Sequence, residues 1–125
     1  MIIGTGVDII EIDRISRVSK NDRFFTDCFS AEEIVLLESC KYSVSTVAGR
    51  FAAKEAVLKA LGCGIFDLPL RDISVMRAPS GQPVVTLTGK AEQKAKEMGI
   101  SKIHVSISHD LTKAIAMAVA EGETI

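Results

Sequence analysis

The sequence predicts an α+β fold, in which a small antiparallel sheet packs against helices. Short apolar segments typical of strands alternate with segments of helical periodicity along the 125 residues. A Pro- and Gly-rich turn joins two consecutive strand-like segments, and a second short turn separates the last two, which favours antiparallel pairing. The length is typical of one domain, and no repeat or linker interrupts the sequence. A single domain spanning residues 1–125 is therefore predicted.

The first element is a strand at about residues 2–9. Within it, Gly4 and Gly6 permit close approach of a backbone or a ligand, at some cost in strand stability. Asp8 lies near the end of this strand among apolar neighbours, where an unpaired negative charge is costly to desolvate. Asp8 is therefore a candidate ligand for a cation.

Two early helices are expected next. Asp13 can cap the first, which carries Ile15 and Val18. The second helix begins after Ser30, because Ser30 and Glu33 have the spacing of a capping box ahead of an apolar run.

A third helix is predicted from about Ser45 to Leu61, and Gly62 can supply the left-handed residue that ends it. At about 100° per residue, its apolar side chains form one stripe, with Glu55 at the border and Lys59 slightly further round. The stripe consists of Val47, Phe51, Leu58 and Leu61. Glu55 is therefore expected at the edge of the core.

Two strands at about 73–76 and 84–87 are predicted to form a hairpin around the turn at 78–83. The last strand has no polar face, although a sheet exposed on one side normally shows one. We expect both of its faces to be covered, by the chain's own helices or by a second subunit. The remaining predicted elements are a polar helix at 89–98 and two strands at 103–108 and 114–120.

Composition argues against several classes of function. The net charge is −1, which lacks the strong positive field of a general nucleic-acid binder. Cys28, Cys40 and Cys63 are odd in number and too sparse for a CxxC metal site, and no secretory signal is recognisable. Charged residues keep every apolar run shorter than the ~18 residues of a membrane span. We expect a reduced, cytoplasmic protein that binds neither nucleic acid nor membrane.

Asp8 and Glu55 together are the leading candidates for a metal site. Mg²⁺ usually takes one or two protein carboxylates plus waters and substrate phosphates, and Lys59 lies one helical turn beyond Glu55. The alternative for Glu55 and Lys59 is a surface ion pair worth about 0.2–0.5 kcal/mol. The alternative for Asp8 is a set of hydrogen bonds within a turn.

Arg50 and Lys54 add two cations to the same predicted helix. Lys54 falls within the apolar stripe, and Arg50 lies one turn earlier. In the functional interpretation these cations face polyanionic phosphate. In the structural alternative Lys54 extends its amine to solvent and Arg50 is solvated.

His109 and Asp110 follow Ser108, an order that suggests a Ser-His-Asp triad. Successive strand side chains point to opposite faces, so adjacent residues cannot form such a triad. We therefore reject a hydrolase triad. His109, at the strand end, is either a contact for a ligand phosphate or an ordinary surface histidine.

Residues 14–24 carry an excess of positive charge interleaved with apolar residues. A solvated face is the simpler explanation of this cluster. The functional alternative is a docking surface for an acidic amphipathic helix of a partner protein. The cations are Arg14, Arg17, Lys20 and Arg23, against the single acid Asp22.

Four motifs occur in order: GTGVDI at 4–9, GRFAAKEAVLKALG at 49–62, SGQP at 80–83 and SISH at 106–109. With them the chain resembles the bacterial holo-acyl-carrier-protein synthases, a family of 4′-phosphopantetheinyl transferases, over essentially its full length. The resemblance implies a homotrimer of α+β subunits. Coenzyme A and one Mg²⁺ would bind in each cleft between neighbouring subunits.

The resemblance assigns roles by matching motif. Asp8 and Glu55 become metal ligands, and Lys59 contacts the phosphates and stabilises the departing one. Glu55 is also the candidate base for the acceptor's proton. Arg50, Ser108 and His109 fall in the coenzyme A site, Gly81 and Pro83 line its adenine region from the adjoining chain, Arg14, Lys20 and Arg23 form the carrier-protein surface, and Cys63 receives no role.

The implied reaction is attack by a serine hydroxyl of apo-acyl carrier protein on the pantetheine-side phosphate of coenzyme A. The product released is adenosine 3′,5′-bisphosphate, and the pathway is fatty acid biosynthesis. Two alternatives use the same residues differently: a metal-dependent nucleotide phosphohydrolase and a non-catalytic coenzyme A-binding module.

Overall fold

The structure is a computed structural model that describes residues 1–123. Its architecture is α+β, as predicted from the sequence. In chain order the elements are β1 (Ile2–Glu11), α1 (Ile12–Val18), α2 (Asp22–Cys28), α3 (Ala31–Ser39), α4 (Val44–Ala60), a short 3-10 helix (Leu70–Asp72), β2 (Ile73–Arg77), β3 (Pro83–Leu87), α5 (Gly89–Glu97), β4 (Ile100–His109) and β5 (Lys113–Gly122).

The strands pair in two antiparallel groups. β5 is the central strand of a three-stranded sheet, with β1 on one side and β4 on the other. β2 and β3 form a separate two-stranded hairpin, which confirms the turn predicted at 78–83. The first and last strands of the chain are therefore neighbours, and this pairing brings the N-terminal segment into the main sheet.

Helix α4 packs closely on the inner face of the three-stranded sheet because that face carries small residues. β1 contributes Gly4 and Gly6. A Cβ atom on Gly6 would lie 2.0 Å from the Ala56 carbonyl oxygen, and one on Gly4 would lie 2.1 Å from that of Ala60. These separations are far below van der Waals contact. Both positions therefore require glycine for α4 to pack this close to β1. β5 contributes four buried alanines, Ala114, Ala116, Ala118 and Ala120.

The helix ends agree with the prediction in two of three places. The capping box is confirmed, because Ser30 Oγ accepts from the Glu33 N–H at 3.2 Å and Glu33 Oε1 accepts from the Ser30 N–H at 2.9 Å. Gly62 follows α4 with φ of 71°, as expected of a left-handed helix end. The prediction for Asp13 is wrong, since it lies in the first turn of α1 and the residue before that helix is Glu11.

Helix α2 was not predicted. It has seven residues, none of them fully buried, so it lacks the apolar periodicity on which the other predictions rest. Asn21 caps it by accepting a hydrogen bond from the Arg23 N–H at 3.0 Å. Within residues 1–123, no helix has the length and apolar character needed to cross a membrane.

The outer face of the three-stranded sheet is exposed, and β1 and β5 carry an apolar patch on it. Val7 pairs with Met117 and Ile9 with Ile115, and all four side chains point away from α4. Their exposed fractions are 55%, 52%, 60% and 41%, respectively. Both faces of the last strand, β5, were expected to be covered. Within residues 1–123, helices cover only its inner face. The outer face remains available to a second subunit.

Lys54 forms a buried ion pair with Glu33, and neither side chain is exposed. Glu33 also accepts from the Val75 N–H at 3.0 Å, and Lys54 donates to the Ile73 carbonyl. Burial lowers the pKa of Lys54, and the Glu33 carboxylate opposes that shift. Both sequence-based interpretations of Lys54 are wrong, because its amine reaches neither solvent nor a phosphate site. The pair instead connects α4 to α3 and β2.

Replacing Lys54 with methionine should lower the free energy of unfolding by about 3–5 kcal/mol, because the Glu33 carboxylate would stay buried without its cation. The double variant Lys54→Met/Glu33→Gln should recover part of that loss. Urea unfolding at fixed protein concentration measures both, with the exposed Lys96→Met as the control. A single variant as stable as the control would contradict a structural role for the pair.

Candidate active site

Asp8 and Glu55 meet where β1 passes beside α4. Lys59 lies one turn beyond Glu55 on α4, and its Nζ is 3.3 Å from Asp8 Oδ1. Nζ also donates to the Val7 carbonyl oxygen at 2.9 Å. We call Asp8, Glu55 and Lys59 the carboxylate site. Two segments 47 positions apart are thus brought together, as the sequence suggested.

The electrostatics of the carboxylate site favour a bound cation. Burial raises the pKa of Glu55, and the nearby Asp8 carboxylate raises it further. Lys59 and Arg14 act in the opposite direction without cancelling the shift. The two carboxylates therefore repel each other even with these cations nearby, and a divalent ion would relieve the repulsion.

The donor set fits Mg²⁺ bound together with a phosphate substrate. Carboxylate oxygens are the hard ligands that Mg²⁺ prefers, and one or two of them normally suffice when waters and phosphates complete the shell. Among residues 1–123, no three His, Cys, Asp or Glu side chains cluster closely enough to form an all-protein metal cage. Asp8 and Glu55 are therefore the residues that would hold the ion.

A second group of predicted residues lines a cleft of about 210 Å³ at the start of α4. Arg50, Gly81, Pro83 and His109 all border it, so the structure brings together four of the residues assigned to coenzyme A. We call it the cationic cleft. Its other lining residues were missed by the sequence analysis: Ser45, Thr46, Gly49, Arg77 and Ile107.

Arg50 is nearly buried in the cationic cleft, with 6% of its surface exposed. Its Nε has no hydrogen-bond partner in the described part of the chain. Burial lowers the pKa of its guanidinium, and the positive charge of Arg77 lowers it further. The expectation of a solvated Arg50 is therefore wrong. Arg77 is the last residue of β2. The sequence analysis missed it as a cleft residue, and its position just before the predicted hairpin turn was the signal that could have indicated it.

Ser108 lies on a different surface from the cationic cleft. It pairs with Ile115 across β4 and β5, and it belongs to the exposed outer face of the sheet. His109, one residue later, pairs with the buried Ala114 and reaches the cleft. Asp110 accepts hydrogen bonds from the backbone N–H groups of Thr112 and Lys113, so it forms a turn and not a triad. A coenzyme A contact for Ser108 stays a prediction.

The predicted carrier-protein residues are all exposed. Arg14 belongs to α1, and its charge is close enough to lower the pKa of Glu55. Arg23 belongs to α2 and lies 3.9 Å from Asp27 in an exposed ion pair, while Lys20 lies between the two helices. Such a pair is worth little in water, so Arg23 remains able to bind another anion. A basic surface thus adjoins the carboxylate site through Arg14.

Comparison with known proteins gives one consistent family. Residues 4–120 match the sequence profile of the 4′-phosphopantetheinyl transferase superfamily. The chain is similar to a holo-[acyl-carrier-protein] synthase of Clostridium tetani, with 44% identity over 126 aligned positions that cover 100% of both chains.

Solved structures agree with the sequence comparison. An acyl carrier protein synthase of Plasmodium yoelii with ADP bound superposes with a TM-score of 0.91 and 36% identity, covering 99% of this chain and 98% of that one. A Helicobacter pylori holo-[acyl-carrier-protein] synthase in complex with coenzyme A gives a TM-score of 0.82 and 38% identity, with 94% and 99% covered.

Replacing Gly6 with alanine should push β1 away from α4, because the new methyl group would overlap the Ala56 carbonyl. We expect a loss of about 1–3 kcal/mol in unfolding free energy, measured by urea titration. Gly64→Ala is the matched control, since its Cβ would meet only Asp67 Oδ2 at 3.6 Å. Equal stability of the two variants would show that β1 and α4 do not depend on close contact.

Proposed function

The chain belongs to the 4′-phosphopantetheinyl transferase superfamily, and on that premise we propose that it transfers 4′-phosphopantetheine from coenzyme A to a serine of an apo-acyl carrier protein. The observation that supports this most directly is the ion pair of Asp8 with Lys59, which lies close enough to Glu55 and to the exposed Arg14 for their charges to interact. A diphosphate-binding carboxylate site next to a surface for an acidic protein is what the transfer requires.

In the proposed reaction, the serine hydroxyl oxygen attacks the pantetheine-side phosphorus of the coenzyme A diphosphate. A new phosphorus–oxygen bond forms, and the bond from that phosphorus to the bridging oxygen breaks. The serine proton leaves with a base, and adenosine 3′,5′-bisphosphate departs. Phosphopantetheine is thereby transferred to the carrier without hydrolysis, as a step supplying fatty acid biosynthesis.

The side chains of the carboxylate site divide the chemical tasks. Asp8 and Glu55 would hold Mg²⁺, and the bound ion would neutralise charge on the diphosphate. Lys59, whose side chain is 52% exposed, can contact the departing phosphate while staying near Asp8. Glu55, which lies beside Asp8 and Lys59, is our candidate for receiving the serine proton.

The acyl carrier protein would dock on the exposed basic residues of α1 and α2. Arg14 lies nearest the carboxylate site, and Lys20 and Arg23 extend the positive surface away from it. Opposite charge steers encounter and fixes the orientation of a partner. The carrier serine would thereby be directed toward Glu55.

We further propose that each complete site lies between two copies of a homotrimer. On α4, at about 100° per residue, Arg50 and Lys59 lie roughly 180° apart, so the helix separates the cationic cleft from the carboxylate site. One coenzyme A could contact both groups if they came from neighbouring chains. Gly81 and Pro83 would then be supplied by the same chain as Arg50 and His109, because all four line one cleft.

The exposed outer face of the sheet is the surface that would form the trimer. Val7, Ile9, Ile115 and Met117 form a contiguous apolar patch there, which a single chain leaves in water. A cytoplasmic location remains part of this proposal, in line with the three free cysteines.

Incubation with coenzyme A, Mg²⁺ and an apo-carrier protein should raise the intact mass of the carrier by one phosphopantetheine group. Glu55→Gln should slow this transfer by about 10²-fold or more, because both metal binding and proton removal suffer. Glu11→Gln, an exposed acid at the end of β1, is the matched control.

The same assay separates the alternatives. A nucleotide phosphohydrolase would release adenosine 3′,5′-bisphosphate at the same rate without carrier protein. A binding module would retain coenzyme A and modify nothing. Either result, or normal transfer by Glu55→Gln, would contradict the proposed reaction.

The proposed trimer predicts that Met117→Glu dissociates the assembly, because the charge would be buried in the apolar contact. Light scattering should then change from three times the chain mass of 13.4 kDa toward one. Val35→Glu, at an apolar residue of α3 that is 68% exposed, is the control and should leave the mass unchanged. A monomeric wild-type chain would contradict the assembly.

Mixing two variants, each of which lacks one of the two groups, tests whether the site is divided between chains. Reassembly of Glu55→Gln with Arg50→Met should restore activity, since some sites would combine an intact carboxylate site with an intact cationic cleft. If reassembled trimers recover no activity, the carboxylate site and the cationic cleft that act on one substrate come from the same chain.

A further inference from the structure

The loop between α4 and the short 3-10 helix carries a fully exposed aromatic side chain. Phe66 is 100% exposed, and the adjacent Ile65 is 45% exposed. Neither residue belongs to the carboxylate site or lines the cationic cleft. A phenylalanine ring gains much free energy from burial, so a ring held wholly in water is well suited to contact a partner. We call Ile65 and Phe66 the apolar tip.

A closed turn holds the apolar tip in place. Asp67 Oδ2 accepts from the Gly64 N–H at 2.7 Å, and the Asp67 N–H donates to the Gly64 carbonyl oxygen at 3.0 Å. The chain is buried on both sides of this turn, at Leu61 before it and at Leu68 after it. Because hydrogen bonds and buried residues fix the backbone, a partner that binds the tip has little conformational entropy to remove.

The loop that carries the tip connects the carboxylate site to the helix that bears Arg23. α4 ends one residue after Lys59, and the N–H of Cys63 donates to the Leu58 carbonyl oxygen at 2.9 Å, so the chain leaves the helix directly beyond the carboxylate site. After the turn the chain enters the 3-10 helix, which packs against α2. Both ends of the loop are therefore attached to elements of the proposed transfer site and carrier-protein surface.

The tip and the basic residue Arg14 lie toward opposite ends of α4. β1 runs antiparallel to α4, since Gly6 faces Ala56 and Gly4 faces Ala60. The end of β1, from which α1 and Arg14 follow, is thus directed toward the start of α4, whereas the tip follows the end of α4. A protein whose serine entered the carboxylate site would meet positive charge on one side and an apolar surface on the other.

We propose that Phe66, with Ile65, is an apolar anchor for the acyl carrier protein and packs against apolar residues beside the acceptor serine. The inference rests on the proposed function. Aromatic residues are enriched in interfaces, and a few buried anchors supply most of the binding energy, whereas charged residues at the rim mainly steer the encounter. Arg14, Lys20 and Arg23 would steer the acidic carrier, and the tip would hold it.

The position of the tip favours a carrier protein over two other partners. Sites for small molecules are concave, and a side chain that is 100% exposed lines no concavity, which argues against the pantetheine arm of coenzyme A. The tip also follows α4, which covers the inner face of the sheet, whereas the apolar patch proposed for the trimer lies on the outer face. A second copy of the chain is therefore not the partner that we infer.

Steady-state transfer by Phe66→Ser tests the anchor. The KM for apo-acyl carrier protein should rise roughly tenfold, while kcat and the KM for coenzyme A stay within about twofold of wild type. Phe66→Leu should recover most of the loss, because it keeps an apolar side chain. Val35→Ser removes another exposed apolar side chain, on α3, and is the matched control. An unchanged KM for the carrier, or an equal rise in the KM for coenzyme A, would overturn the proposal.

Direct binding separates the anchor from the reaction. The probe is an apo-acyl carrier protein whose acceptor serine is replaced by alanine. By calorimetry, wild type and Val35→Ser should bind it equally, and Phe66→Ser roughly tenfold more weakly. If wild type binds this probe through Phe66 but transfers nothing to the unmodified carrier, the proposed reaction fails and the anchor stands. If transfer is normal and Phe66→Ser binds like wild type, the anchor fails and the reaction stands.

The same variant tests a contact between subunits. Light scattering and urea unfolding of Phe66→Ser should match wild type, because the Phe66 side chain is not buried within the chain. A smaller assembly in this variant would place the tip between subunits and overturn the proposal.

Discussion

The close contact between α4 and the inner face of the sheet is the constraint on which the carboxylate site depends. Glycines on β1 and alanines on β5 leave room for the helix backbone itself, and a single added Cβ at Gly6 would overlap the Ala56 carbonyl. At this separation Lys59 reaches both the Val7 carbonyl and the Asp8 carboxylate. Residues with larger side chains on that face would separate Asp8 from Glu55.

Helix α4 contributes residues both to the cationic cleft and to the carboxylate site. Its positive N-terminal turn faces the cationic cleft, and its later turns carry Glu55 and Lys59 to β1. Between them, Lys54 pairs with Glu33 in the core and fixes the helix against α3 and β2. The cationic cleft and the carboxylate site are thereby held apart on one helix, so under the proposed assembly each α4 would contribute to two different sites.

Local signals in the sequence predicted much of this fold, and long-range contacts account for the failures. Helical periodicity placed Glu55 at the core border, and turn chemistry located the hairpin and the end of α4 at Gly62. Periodicity also showed that Lys54 lies in the apolar stripe, but its partner comes from a different helix. Arg77 was missed because it enters the cleft only when the hairpin folds over the start of α4.

Mn²⁺ binding in the presence of coenzyme A, followed by electron paramagnetic resonance, tests whether Asp8 and Glu55 hold a metal ion. We expect one tight ion per chain in the wild type, and loss of that ion in Asp8→Asn/Glu55→Gln. Asp13→Asn, an exposed acid of nearby α1, should bind like the wild type. Retention of the ion by the double variant would contradict a metal site built from these two carboxylates.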